Sequence, residues 1–246
     1  MHPPPMSLHR FHLPPALWQP ECLTLEGDEA AHCTRVLRLG EGDAIEVFDG
    51  AGRVASAVIT AAGRHRVQAA LRAVVTHPPP AAAIHLLPAM IKSEPFEWLL
   101  EKAVELGAAS VQPVITARTV VHPGHDQLEK KLARWRRHMT ESAKQCHTPF
   151  LTRLEAPVPL ARALAAVPDG GLKIMPALSE HSRTLRGIAA GARVAHVILG
   201  PEGDFTPEEE ALACGHGFIP VTLGPLILRA ETAAVTALAV LAHEMR

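Results

Sequence analysis

No stretch of this 246-residue chain stays apolar for the roughly 18 residues that a membrane-spanning helix requires, so none is expected. The opening Met1-His2-Pro3-Pro4-Pro5 lacks the basic-then-apolar order of a secretory signal. A cytoplasmic chain, not an exported one, is the expectation. Cysteine is scarce. Cys22, Cys33, Cys146 and Cys214 are scattered and form no CxxC pair, which argues against a disulfide framework. Histidines stand beside three of them (His32, His147, His216), but the spacings fit no familiar zinc pattern, so no metal is expected. An excess of one charge is also missing. A net charge of -1 does not announce a nucleic-acid partner, which leaves any such role to local clusters. Neither GxxxxGK[ST] nor GxGxxG occurs, which removes the phosphate loop and the dinucleotide fingerprint.

What is present is ordinary globular composition, 48% apolar and 20% charged. His77-Pro78-Pro79-Pro80 cannot continue a helix or a central strand and reads as a stiff linker. Before it, residues 44–48 alternate apolar and polar side chains, Asp49-Gly50-Ala51-Gly52 turns, and residues 53–60 and 66–75 supply further strands. With a short helix over 28–37, they predict a small β-barrel-like domain over residues 1–76. From residue 81 to 246 strands alternate with helices: strand 83–90, helix 93–107 capped by Ser93, strand 111–116, a long helix 125–146, strand 172–178, a short helix 184–190, strand 194–199, a helix from Pro207, strand 219–223 and a last helix from Glu231. This alternation predicts an α/β domain on a mainly parallel sheet, with ligands beyond the carboxyl ends of its strands.

Two segments carry chemical information. In Leu199-Gly200-Pro201-Glu202-Gly203-Asp204-Phe205-Thr206-Pro207-Glu208-Glu209, an apolar strand enters a glycine loop and a helix then starts. Thr206 suits its N-cap, Pro207 its first turn, and Glu209 can close a capping box. An acidic Glu202 in the loop repels phosphates and suits a neutral or cationic ligand. In Leu223-Gly224-Pro225-Leu226-Ile227-Leu228-Arg229-Ala230-Glu231, a loop of leucine and isoleucine is odd on a surface unless it lines a pocket for a flat apolar ring. The final helix is apolar nearly all round, so a subunit interface is plausible on pattern. The run Lys130-Lys131-Leu132-Ala133-Arg134-Trp135-Arg136-Arg137 is a solvated helix face or a polyanion contact.

Together, GPEGDFTPEE and LGPLILRAETA resemble the paired cofactor motifs of the RsmE family, SPOUT-superfamily enzymes that methylate N3 of a uridine in 16S ribosomal RNA. Further likenesses are HCTRVLRL, GD and FDG near residues 32–50, FEWLLEKAVELG at 96–107, and ESAKQC at 141–146. The resemblance spans nearly the whole chain. It implies a PUA-like RNA-binding domain, a knotted (trefoil) α/β catalytic domain, S-adenosyl-L-methionine as cofactor, 16S rRNA or the small ribosomal subunit as partner, and a homodimer. The implied cofactor cradle is Leu178, Leu199, Gly200, Glu202, Gly203, Leu223, Gly224, Leu228 and Arg229. Arg229 is the candidate catalytic group, opposed by an alternative in which it only pairs with Glu231 or caps a helix. Arg10, Arg35, Arg38, Arg134, Arg136 and Arg137 are the candidate RNA contacts. Three positions depart from the family pattern: Asp204 where many relatives have glycine, Leu226 where they have arginine, and Thr148 where an arginine often stands. A non-catalytic RNA-binding or ribosome-assembly protein, and a SPOUT methyltransferase of a different RNA, are the alternatives.

Overall fold

The computed structural model describes residues 8–19, 21–120, 125–178, 182–185 and 187–245. The chain divides into two compact units. One runs to Pro79 and also takes in Ala143–Leu151; the other comprises Pro80–Ser142 and the chain from Thr152 on.

The first unit is a five-stranded sheet. Its strands are β1 (His9–His12), β2 (Cys22–Glu26), β3 (Ala44–Phe48), β4 (Arg53–Ala62) and β5 (Arg66–Thr76), ordered β1-β3-β4-β5-β2. Only β1 and β3 run parallel. Strict alternation puts Ile45, Val47, Ala55, Ala57, Ile59, Val67 and Ala69 into one core with Phe11, Leu23 and Leu25. Helix α1 (Gly27–Ala31) runs on through a wider turn at His32–Val36 and adds Ala30 and Cys33 to that core. The β3–β4 turn is held by Asp49, whose Oδ1 accepts the backbone N–H groups of Ala51 (2.8 Å) and Arg53 (2.9 Å). Ala143–Leu151 joins this unit through contacts that composition does not signal. Lys144 pairs with Glu29, and Leu151 N–H donates to Gly50 O at 2.9 Å. Phe150 packs where a side chain at Gly52 (φ 112°) would stand.

The second unit is built on a parallel sheet. Its elements are β6 (Ala83–Pro88), α2 (Ser93–Glu105), β7 (Ser110–Val111), β8 (Val114–Ile115), α3 (His125–Gln145), β9 (Arg153–Leu154), β10 (Val158–Pro159), α4 (Leu160–Ala166), β11 (Leu172–Pro176), β12 (Arg183–Thr184), β13 (Val194–Leu199), α5 (Pro207–Gly215), β14 (Ile219–Thr222) and α6 (Ala230–Glu244). Seven strands are ordered β12-β14-β11-β13-β6-β7-β9, every pair parallel. β13 is buried from Ala195 to Leu199, as a strand covered on both faces must be. Gln112-Pro113 splits the strand expected over 111–116 into β7 and β8, because proline supplies no ladder N–H. Among the described residues of 184–190 no helix is formed. The described residues there are the short strand β12 and a turn. Helix α2 takes Lys92 as its N-cap, not Ser93, and no side chain caps it.

Candidate active site

The carboxyl ends of three adjacent strands, β14, β11 and β13, open onto one cavity of about 530 Å³. That is the place in an open parallel sheet where loops diverge and leave a crevice. Leu178 follows β11, Leu199 ends β13 with Gly200 and Glu202 just after it, and Leu223, Gly224, Leu228 and Arg229 follow β14; all eight line the cavity. Residues distant in sequence and expected as a cradle thus stand around one space.

The loop after β13 is tightly built. A Cβ placed on Gly200 would lie 2.9 Å from Asp204 Oδ1 and 3.2 Å from both Asp204 Cα and Phe205 N, so the backbone there admits only glycine without displacement. Asp204 N–H donates to Pro201 O at 2.9 Å, and the Asp204 carboxylate accepts Phe205 N–H at 2.8 Å. Asp204 takes φ 61°, the left-handed region that glycine adopts freely and aspartate tolerates through such a local bond. The departure from the glycine of many relatives is therefore conformationally accommodated. Helix α5 then starts on the complete capping box: Thr206 Oγ1 accepts Glu209 N–H at 3.3 Å, and Glu209 Oε2 accepts Thr206 N–H at 3.0 Å. Phe205 is buried in the core with Ile198 and Phe218.

The loop after β14 is open. Leu226 is 73% and Ile227 82% exposed, although both line the cavity. Gly224 has φ 127° and is tied by the Thr222 hydroxyl, which accepts its N–H at 3.2 Å. Arg229 occupies the N-cap position of α6, but its side chain makes no capping bond, and among the described residues it has no ion pair with Glu231. The structural alternative for Arg229 thus loses its expected partners, and the guanidinium stands exposed at the cavity.

Gly203 does not line the cavity; its carbonyl accepts a hydrogen bond from Arg118. Arg10 is not the surface cation expected. Its side chain is 3% exposed, paired with Glu46 at 3.0 Å and set over the Phe48 ring at 4.3 Å, so it has no surface to offer a phosphate. Arg35 and Arg38 are exposed at the end of the α1 turn. Arg134, Arg136 and Arg137 are exposed on α3, where Arg134 binds Glu97 at 2.8 Å and Arg136 donates to Leu154 O at 3.2 Å. The aromatic in that basic run, Trp135, is fully buried against Phe96 and is not a stacking platform. Lys92 and Pro95, at the start of α2, line the cavity and were not singled out in the sequence. Their position one step past β6, the neighbour of β13, is the signal that could have found them.

The cavity walls carry Glu202, Asp204 and Glu231 against Lys92 and Arg229, an excess of one negative charge. With its volume, its backbone approach at Gly200 and its leucine and isoleucine wall, this arrangement fits a flat-ringed ligand bearing a positive centre, as S-adenosylmethionine does. The family described as RNA methyltransferase domain matches residues 77–242, and that described as RNA methyltransferase PUA domain matches residues 25–71. The Ribosomal RNA small subunit methyltransferase E of Synechocystis sp. is 33% identical over 88% of this chain and 71% of its own length. The protein of the same name from Mycobacterium tuberculosis is 31% identical over 87% of this chain and 83% of its own. The Legionella pneumophila protein Lpg2936, solved with bound SAM, superposes with a TM-score of 0.89 at 32% identity, covering 96% of this chain and 97% of that one. A Ribosomal RNA small subunit methyltransferase E from Neisseria gonorrhoeae, solved bound to S-adenosyl methionine, has a TM-score of 0.86 at 29% identity, covering 95% and 96%. The chain belongs to the RNA methyltransferase family, among the small subunit methyltransferase E proteins, with a PUA domain ahead of the RNA methyltransferase domain.

Proposed function

We propose that the chain transfers a methyl group from S-adenosylmethionine to N3 of a uridine in 16S ribosomal RNA. The observation that carries this reading is the convergence of eight cradle residues on one cavity at the ends of β14, β11 and β13. The bound cofactor supplies an electrophilic methyl group on a sulfonium, and the chain supplies binding and orientation. Leu199, Leu226, Ile227 and Leu228 offer an apolar wall to the adenine ring, and Glu202 and Asp204 place negative charge where a cation is held. Gly200 lets the backbone approach without a side chain in the way. Uridine N3–H must lose its proton, which goes to solvent water, as the methyl group arrives. Arg229, exposed and without an ion pair to Glu231, donates its N–H groups to the uracil oxygens and stabilises the charge that develops there.

Arg35, Arg38, Arg134, Arg136 and Arg137 supply phosphate contacts to the RNA, and burial excludes Arg10 from that set. The chain works as a homodimer in the cytoplasm. Helix α6 buries Ala234, Ala237, Leu238 and Leu241 in its own unit, leaving Val235, Ala239 and Val240 half-exposed for a second copy. The trefoil knot of the SPOUT superfamily belongs to the same proposal.

The test is nucleoside mass spectrometry of 16S rRNA, unmodified at the outset, incubated with the protein and S-adenosylmethionine. N3-methyluridine is expected. Its absence from both free RNA and assembled subunits, with cofactor still bound, would put a non-catalytic RNA-binding role in its place. Arg229→Ala is expected to lower kcat by about 100-fold while cofactor Kd changes less than about threefold; equal losses would make Arg229 a binding residue only.

A further inference from the structure

The tight loop after β13 is held from outside by a turn that the cofactor motifs do not include. Residues 116–119 follow β8 and staple themselves. Thr116 N–H donates to Thr119 Oγ1 at 2.9 Å, the two hydroxyls lie 3.0 Å apart, and both threonines are buried. The two residues between them reach outward. Ala117 N–H donates to Glu209 Oε1 at 2.7 Å, the same carboxylate that closes the α5 capping box. Arg118 Nη1 donates to Gly203 O and, at 3.2 Å, to Phe205 O. A Cβ on Gly203 would stand 3.3 Å from Arg118 Cδ, so the side chain lies flat against that backbone. The turn thus grips both ends of the segment 203–209, and Gly200 and Glu202 line the cavity immediately before it.

We propose that Arg118 is a positioning residue, which fixes the 200–206 loop in the shape that receives the cofactor before the cofactor arrives; the inference rests on the cofactor reading above. Arg118 does not line the cavity; it holds the loop through the carbonyls of Gly203 and Phe205, with its charge also felt by the Glu208 carboxylate. Two carbonyls fixed by one cation lose freedom that binding would otherwise have to remove, so the gain shows in affinity and not in the chemical step.

The experiment compares the full-length chain with Arg118→Ala and Arg118→Lys. It measures the calorimetric Kd for S-adenosylmethionine, amide hydrogen exchange across 200–206 without ligand, the thermal midpoint, and kcat at saturating cofactor. For Arg118→Ala we expect Kd to rise about fivefold, the size of one or two exposed charge-assisted hydrogen bonds. The Phe205 and Thr206 amides should exchange faster while kcat stays within about twofold. Arg118→Lys should recover most of the affinity, since an ammonium can still reach a carbonyl. Unchanged Kd and unchanged exchange in Arg118→Ala would overturn the proposal. So would equal losses in both variants that follow the thermal midpoint, because that pattern belongs to global destabilisation. If the unaltered chain binds no S-adenosylmethionine, the cofactor reading fails, while the exchange comparison still decides whether Arg118 orders the loop.

Discussion

The two loops that wall the cavity are built on opposite principles. The loop after β13 satisfies itself: Asp204 bonds to Pro201 and Phe205, Thr206 and Glu209 cap α5, Arg118 holds two carbonyls, and Phe205 is sunk in the core. The loop after β14 has one hydroxyl tie at Gly224 and then presents Leu226 and Ile227 to water. A wall made by the chain's own bonds is rigid before ligand binds. A wall of exposed apolar side chains gains its stabilisation when something covers it, at roughly 25 cal/mol per Å² removed from water. On the cofactor reading proposed above, the first loop sets the shape of the site and the second contributes affinity where the ligand covers it.

The largest test of that contrast is Gly200→Val. Its Cβ would meet Asp204 Oδ1 at 2.9 Å and backbone atoms at 3.2 Å, in a loop with no slack to move. Overpacking of this kind costs about 2 kcal/mol or more, and we expect cofactor Kd to rise at least about 30-fold by calorimetry. A Kd near that of the unaltered chain would show that the loop is not the rigid wall described. A smaller effect is expected from Ile227→Ser on the open loop. The side chain is already 82% exposed, so the thermal midpoint of the ligand-free chain should not move. Cofactor binding should weaken about tenfold, the worth of burying one such side chain in the complex. A fall in the midpoint with unchanged affinity would mean that Ile227 serves the fold and not the ligand.

How much of this was legible in the sequence depends on the range of the contacts. Strand β13, the Gly200 turn and the Thr206-Glu209 capping box are written in consecutive residues, and the structure has each where the pattern placed it. The strand β3 and its Asp49-Gly50 turn read equally well. Contacts made across the chain left no local trace. Arg118 lies 85 residues from Gly203, and nothing in Thr116-Ala117-Arg118-Thr119 signals a strut. Lys92 enters the cavity because β6 is the neighbour of β13, which is a fact of strand order. Arg10 looked like a surface cation because β1, only four residues long, was too short to read as a strand, and its pairing with β3 puts Arg10 beside Glu46. Trp135 sits among basic residues in sequence, yet the period of α3 turns it inward with Leu132 and Met139 while Arg134, Arg136 and Arg137 face out. Eight of the nine residues that the resemblance implies as a cradle line one cavity; the Gly203 carbonyl turns to Arg118 instead, which a motif does not record.

The smallest effect separates the shape of the first loop from its stability. Thr206→Ala removes the hydroxyl that accepts Glu209 N–H, but Glu209 can still accept the N–H groups of residue 206 and Ala117. Loss of one N-cap costs about 1 kcal/mol, which should appear as a lower urea midpoint with an unchanged slope. The Gly200 turn, the Asp204 bonds and the Arg118 contacts do not involve the Thr206 side chain, so cofactor Kd should rise no more than about twofold. A loss of affinity approaching that of Gly200→Val would mean that the cap, not the strut and the turn, sets the shape of the wall, and the division between a rigid loop and an open loop would then rest on the start of α5 alone.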